Sequence, residues 1–196
     1  ADYVFLYFLS FFVLLMTLKV DWRLAVLGAL SFGFSTYLII IFGAGHNAKA
    51  HAIAYMPLVL SGVLLVFQKR FLLGFVITAL AMALEVNTNH PQMTYYLGFA
   101  LLILGIFELI DAIKQKSIPT FIKQSLVILV AVILGITTNA TRLMAMKEYA
   151  DYSTRGKSEL TITPEGTQKI ASTGLSREYI TEYSYAKAET FNLMIP

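Results

Sequence analysis

Eight consecutive residues, Glu85-Val86-Asn87-Thr88-Asn89-His90-Pro91-Gln92, bring together a carboxylate, an imidazole and several amides. Glu85 and His90 are the candidate catalytic groups of the chain. Asn87, Asn89 and Gln92 are of the type that holds hydroxyl-rich ligands or fixes nearby cations. A second polar stretch, Gly45-His46-Asn47-Ala48-Lys49-Ala50-His51, adds a point positive charge. Lysine binds phosphate in that manner, so His46, Asn47 and Lys49 are candidate substrate-binding residues for an anionic headgroup. The plainer reading of Lys49 is a side chain snorkelling to the membrane surface. A third stretch, Arg155-Gly156-Lys157, sets two cations about a residue that permits a tight bend. Arg155 and Lys157 could therefore converge on one anion, although spacing alone favours a solvated turn.

The histidines do not make a metal motif. A helix-borne zinc pair needs an i, i+4 spacing, as in H-E-x-x-H, and His46 and His51 are five apart. No metal is expected on these residues, while a divalent metal held by carboxylates elsewhere in a longer protein stays open. P-loop, nucleophile-elbow and dinucleotide fingerprints are absent from the sequence. Cysteine is absent too, which excludes disulfide and thiol chemistry within these residues.

The elements that must position these groups are apolar. Hydrophobic residues make up 57 % of the chain and charged ones 14 %, where a soluble domain carries about 25 % charged residues. Six segments, 3–18, 24–43, 52–67, 71–84, 95–110 and 121–138, approach the roughly 20 apolar residues that cross a bilayer. Only helices or closed barrels satisfy their backbone in lipid, and these runs are too long for strands. The sequence thus predicts an all-α, polytopic membrane protein with about six transmembrane helices. A break at His90-Pro91 alone would lengthen the fourth segment, because the residue before proline leaves the helical region. Glu85 would then lie more than one turn below the end of its helix, at a depth where ionisable groups face protein or a water-filled cavity. The alternative is a polar loop that caps two helices.

Charge sets the orientation. Lys19 and Arg23, Lys69 and Arg70, and Lys114, Lys116 and Lys123 fall in alternate connections, which the positive-inside rule places in the cytoplasm. The other connections carry only Lys49. Both polar stretches and everything after Thr138 are then extracytoplasmic, and the inner loops look short, basic and chemically plain. Residues 1–140 form the transmembrane region. Residues 141–196 begin an extracytoplasmic part with two helices, near 141–152 and 176–189, around a loop at 161–174. The chain opens directly on an apolar run and is expected to be an internal piece of a longer protein.

At Gly45-His46-Asn47-Ala48-Lys49, at Glu85 with Asn89-His90-Pro91-Gln92-Met93-Thr94-Tyr95-Tyr96, and at Thr154-Arg155-Gly156-Lys157-Ser158-Glu159-Leu160, the chain resembles the bacterial YfhO family. A weaker echo at Tyr183–Thr190 departs from the family, with Ala186 and Ala188 where glycines are expected and Tyr183 in place of tryptophan. The resemblance implies a GT-C-like glycosyltransferase of the bacterial cytoplasmic membrane. Such an enzyme takes a sugar from a polyprenyl-phosphate donor and adds it to a cell-envelope polymer on the outer face. It also implies that the catalytic acidic loop lies upstream of Ala1. The expected partners are the lipid bilayer, the lipid-linked donor and the polymer acceptor, with no nucleic acid. Two other classes are carried beside it. A transporter or flippase would use Glu85 and His90 on a proton or substrate path, and a non-catalytic envelope assembly protein would use neither.

Overall fold

The computed structural model describes residues 2–151 together with Arg177, Thr181 and Glu182. The expected helix at 176–189 falls outside the described residues except at those three positions, as do Arg155 and Lys157. The described residues form helices joined by short turns, with no strand among them. The order is α1 (Asp2–Thr17), α2 (Trp22–Gly33), α3 (Thr36–Gly43), α4 (Asn47–Phe67), α5 (Phe71–Asn87), α6 (Pro91–Lys114), α7 (Ile118–Thr137) and α8 (Ala140–Asp151). Two compact units meet at Asn139 in the sequence, and α8 belongs to the second.

Within the first unit α4 is the hub. Of its spanning window 56 % is buried, against 11 % for α6 and 17 % for α7. Helices α1 and α5 flank it, α2 packs on α1, and α7 packs on α5. Small residues permit the closest seam. A Cβ placed on Gly62 of α4 would collide with the Thr78 side chain and backbone of α5, and one on Gly74 would meet the Val66 backbone at 2.7 Å. Backbones that approach this closely gain dispersion contacts, the main glue between helices in lipid. Gly98 and Gly105 of α6 face open space instead, so glycines that look alike in the sequence have different roles.

Four stretches are long and apolar enough to cross a membrane: Trp22–Gly43, Asn47–Phe67, Pro91–Lys114 and Ile118–Thr137. Helices α1 and α5 have 16 and 17 residues, or about 25 Å at 1.5 Å per residue, short of a core about 30 Å thick.

The second apolar segment is not one helix, which corrects the continuous run expected over 24–43. It breaks at Phe34-Ser35, where Ser35 is extended (φ −60°, ψ 140°) and caps α3 without a side-chain bond. Gly33, just before the break, sits so close to the Phe8 ring that a Cβ would overlap it. Backbone bonds close the two helix ends at this point: Phe34 N–H donates to the Leu30 carbonyl at 2.9 Å and Leu38 N–H to that of Ser35 at 3.0 Å, while the Ser31 hydroxyl donates to the Leu27 carbonyl of its own helix.

One turn recurs at the lysine-bearing end. Lys19, Lys69 and Lys116 have φ of 61°, 66° and 53°. In each case the next residue donates its N–H to a carbonyl five residues back: Val20 to Leu15, Arg70 to Leu65 and Ser117 to Ala112. These are Schellman caps with lysine where glycine is usual. A non-glycine residue in this region costs roughly 1–2 kcal/mol. The lysine charge beside a helix C-terminus offsets about 0.3–1 kcal/mol of that cost. Cross-helix bonds tie this end together. Gln68 Nε2 donates to the Thr17 carbonyl at 2.9 Å and Gln124 Nε2 to that of Phe67 at 2.8 Å.

Candidate functional site

Both polar stretches lie at the end of the first unit opposite the lysine turns. Tyr7 of α1 is fully buried and donates its hydroxyl to the Ala50 carbonyl of α4 at 2.9 Å. Its ring belongs to a core cluster with Leu38, Ile41, Ala50, Ile53 and Ala54, and Met93 from the first turn of α6 packs against that cluster. The turn before α4 and the turn before α6 are therefore neighbours across one apolar floor. Sequence reasoning missed Tyr7 and Met93, because neither has a local signal. Tyr7 matters through its bond to Ala50, 43 residues away along the chain, and Met93 through packing on a cluster drawn from α1, α3 and α4.

The turn that carries His90 differs from expectation in a way that moves Glu85. Helix α5 ends at Asn87 rather than running on to His90-Pro91. Thr88 caps it, donating both its N–H (3.1 Å) and its hydroxyl (2.6 Å) to the Glu85 carbonyl. Asn89 then turns the chain with φ 61°, a conformation that asparagine tolerates better than most residues. His90 is the N-cap of α6, and Pro91 starts it. Glu85 thus stands in the last turn of α5, not more than a turn below its end.

Glu85 is nevertheless fully buried, and packing rather than depth in the helix hides it. The Thr94 hydroxyl of α6 lies 3.1 and 3.0 Å from the two carboxyl oxygens. The same hydroxyl is 3.5 Å from the His90 carbonyl. It has one proton to donate, so it satisfies one of these acceptors at a time. Helices α5 and α6 touch sparsely elsewhere, which makes this pair a clasp between them. Nearby, the His90 ring is half-buried and its Nδ1 has no hydrogen-bond partner among the described residues.

The remaining candidates are spread over the surface of this end. Asn87, Asn89 and Gln92 are exposed, and Gln92 Nε2 donates to the Tyr96 hydroxyl one turn on, at 3.0 Å. His46, the N-cap of α4, and Asn47, its first residue, are exposed as well. Lys49 is half-buried with its ammonium 5.1 Å from the centre of the Tyr37 ring. That contact holds the charge at the edge of the polar turn. His51 turns away to the Tyr3 ring, 3.7 Å between centroids. Among the described residues no three His, Asp or Glu side chains gather as a metal site would require.

The opposite end is not chemically plain, contrary to expectation. Lys69, Glu108, Asp111, Gln115, Thr120 and Gln124 line a polar crevice of about 250 Å³. The two carboxylates sit three residues apart on α6, so helical spacing brings them to one face. In the sequence Glu108 lies inside the apolar run 95–110 and Asp111 directly after it, where the lysines that follow set the character of the connection.

Comparison with known protein families, with curated proteins and with solved structures finds no match to this chain.

Proposed function

We propose that this chain is the membrane part of a YfhO-type, GT-C-like glycosyltransferase that works on the outer face of the bacterial cytoplasmic membrane. Its substrates would be a polyprenyl-phosphate-linked sugar and a cell-envelope polymer. The observation that carries the reading is the pairing of two polar turns over one apolar floor, with the lysine turns at the opposite end. A lipid-linked phosphate arrives at such a surface from the bilayer, and a leaving phosphate needs cations or donors where charge develops. Lys49, His46 and His90 are the groups of that type at this end, while Asn87, Asn89 and Gln92 offer amides to sugar hydroxyls. Glu85, enclosed by Thr94, fits a group that positions the His90 turn better than one that meets substrate directly. We also read α1 and α5 as spans, because both lie alongside α4. This makes six crossings, with the polar turns outside.

A transporter is the second reading, and the break at Phe34-Ser35 favours it. Discontinuous helices are frequent in transporters near the substrate site. The discriminating experiment supplies the purified protein containing this chain with a labelled polyprenyl-phosphate sugar in vesicles and a polymer acceptor. Label transferred to the acceptor supports the first reading. Label crossing the bilayer while still on its lipid would replace it with the second.

A further inference from the structure

An apolar groove of about 440 Å³ runs along the outside of the bundle where α7 lies on α5. Phe75, Ile122, Leu126, Val127 and Val130 line it, and Lys123 is the charged residue of the set. The α7 residues from 122 to 130 extend it about 12 Å along the helix at 1.5 Å per residue. Lys123 stands at the groove's lysine-turn end, where its ammonium is held 4.9 Å from the centre of the Phe71 ring. Arg70, the N-cap of α5, precedes that ring directly. Helices α5 and α7 both begin at this end, so their unpaired N–H groups add partial positive charge.

We infer that this groove seats one anionic phospholipid, with an acyl chain along Leu126 and Val130 and its phosphate at Lys123. The groove alone would suit any apolar chain. The selection of an anionic lipid comes from the charge at its mouth, which no carboxylate among the lining residues neutralises. This lipid is separate from the lipid-linked donor proposed for the other end, and the inference stands without that donor.

Native mass spectrometry of the purified protein in equal phosphatidylglycerol and phosphatidylcholine of matched chains tests it. The wild type should retain one phosphatidylglycerol in clear preference to phosphatidylcholine. Lys123→Gln should reduce that preference about fivefold, the share of one lysine near an anionic surface. Lys19→Gln, at the same end but on the α1–α2 turn, should leave it unchanged. Leu126→Trp, at an exposed position that fills the groove, should remove the lipid whatever its headgroup. Equal retention of both lipids would overturn the inference. So would an equal effect of Lys19→Gln, or a protein dimer that Leu126→Trp dissociates, since a second copy would then be the occupant.

Discussion

Glu85 has two carboxyl oxygens, no exposed surface and the Thr94 hydroxyl between it and the His90 carbonyl. Removing the donor should hurt more than neutralising the acceptor. Thr94→Val leaves a buried polar group without its partner, a cost of about 1–3 kcal/mol. Glu85→Gln keeps the shape and can still accept from Thr94, so its cost should stay below about 1 kcal/mol, within the range for one ordinary hydrogen bond. Thermal unfolding of the two variants in the same detergent measures the order. If Glu85→Gln is the more damaging, the carboxylate has a partner other than Thr94. The sequence marked Glu85 and His90 as unusual, but it could not show the clasp. Finding Thr94 required knowing that α5 stops at Asn87 and that Asn89 turns with positive φ, and a Pro91 break alone does not dictate either.

At the scale of helices, composition was enough to reveal six apolar runs, because lipid leaves the backbone few alternatives. The start of α6 was legible at Pro91, and the start of α5 was legible to the residue at Phe71. The split between α2 and α3 was not, since Ser31, Gly33 and Ser35 are each tolerated in an intact membrane helix and their effect appears only where Phe8 crowds Gly33. Glycine likewise carries no label for its neighbour. The seam between α4 and α5 supplies a contrast. Gly62→Leu should prevent the two helices from approaching and lower the yield of folded, monodisperse protein severely, since overpacking costs typically 1–3 kcal/mol or more. Gly98→Leu, into open space on α6, should leave the yield near that of the wild type. Size-exclusion profiles of the two variants decide. Equal losses would mean that α6 packs against something at Gly98.

At the largest scale the first unit is polar along one axis. One end has lysine turns at Lys19, Lys69 and Lys116. The other has the His46-Asn47 turn and the Thr88–His90 turn over a shared floor. By the positive-inside rule the Lys and Arg distribution would put the first end in the cytoplasm, and the proposed chemistry needs the second outside. Single cysteines test this directly, because the chain has none of its own. Cysteines replacing Asn47 and Thr88 should react with an impermeant thiol reagent added to intact spheroplasts. Cysteines replacing Gln68 and Gln115 should stay protected until the membrane is opened. The reverse pattern would contradict the orientation and, with it, a site on the outer face.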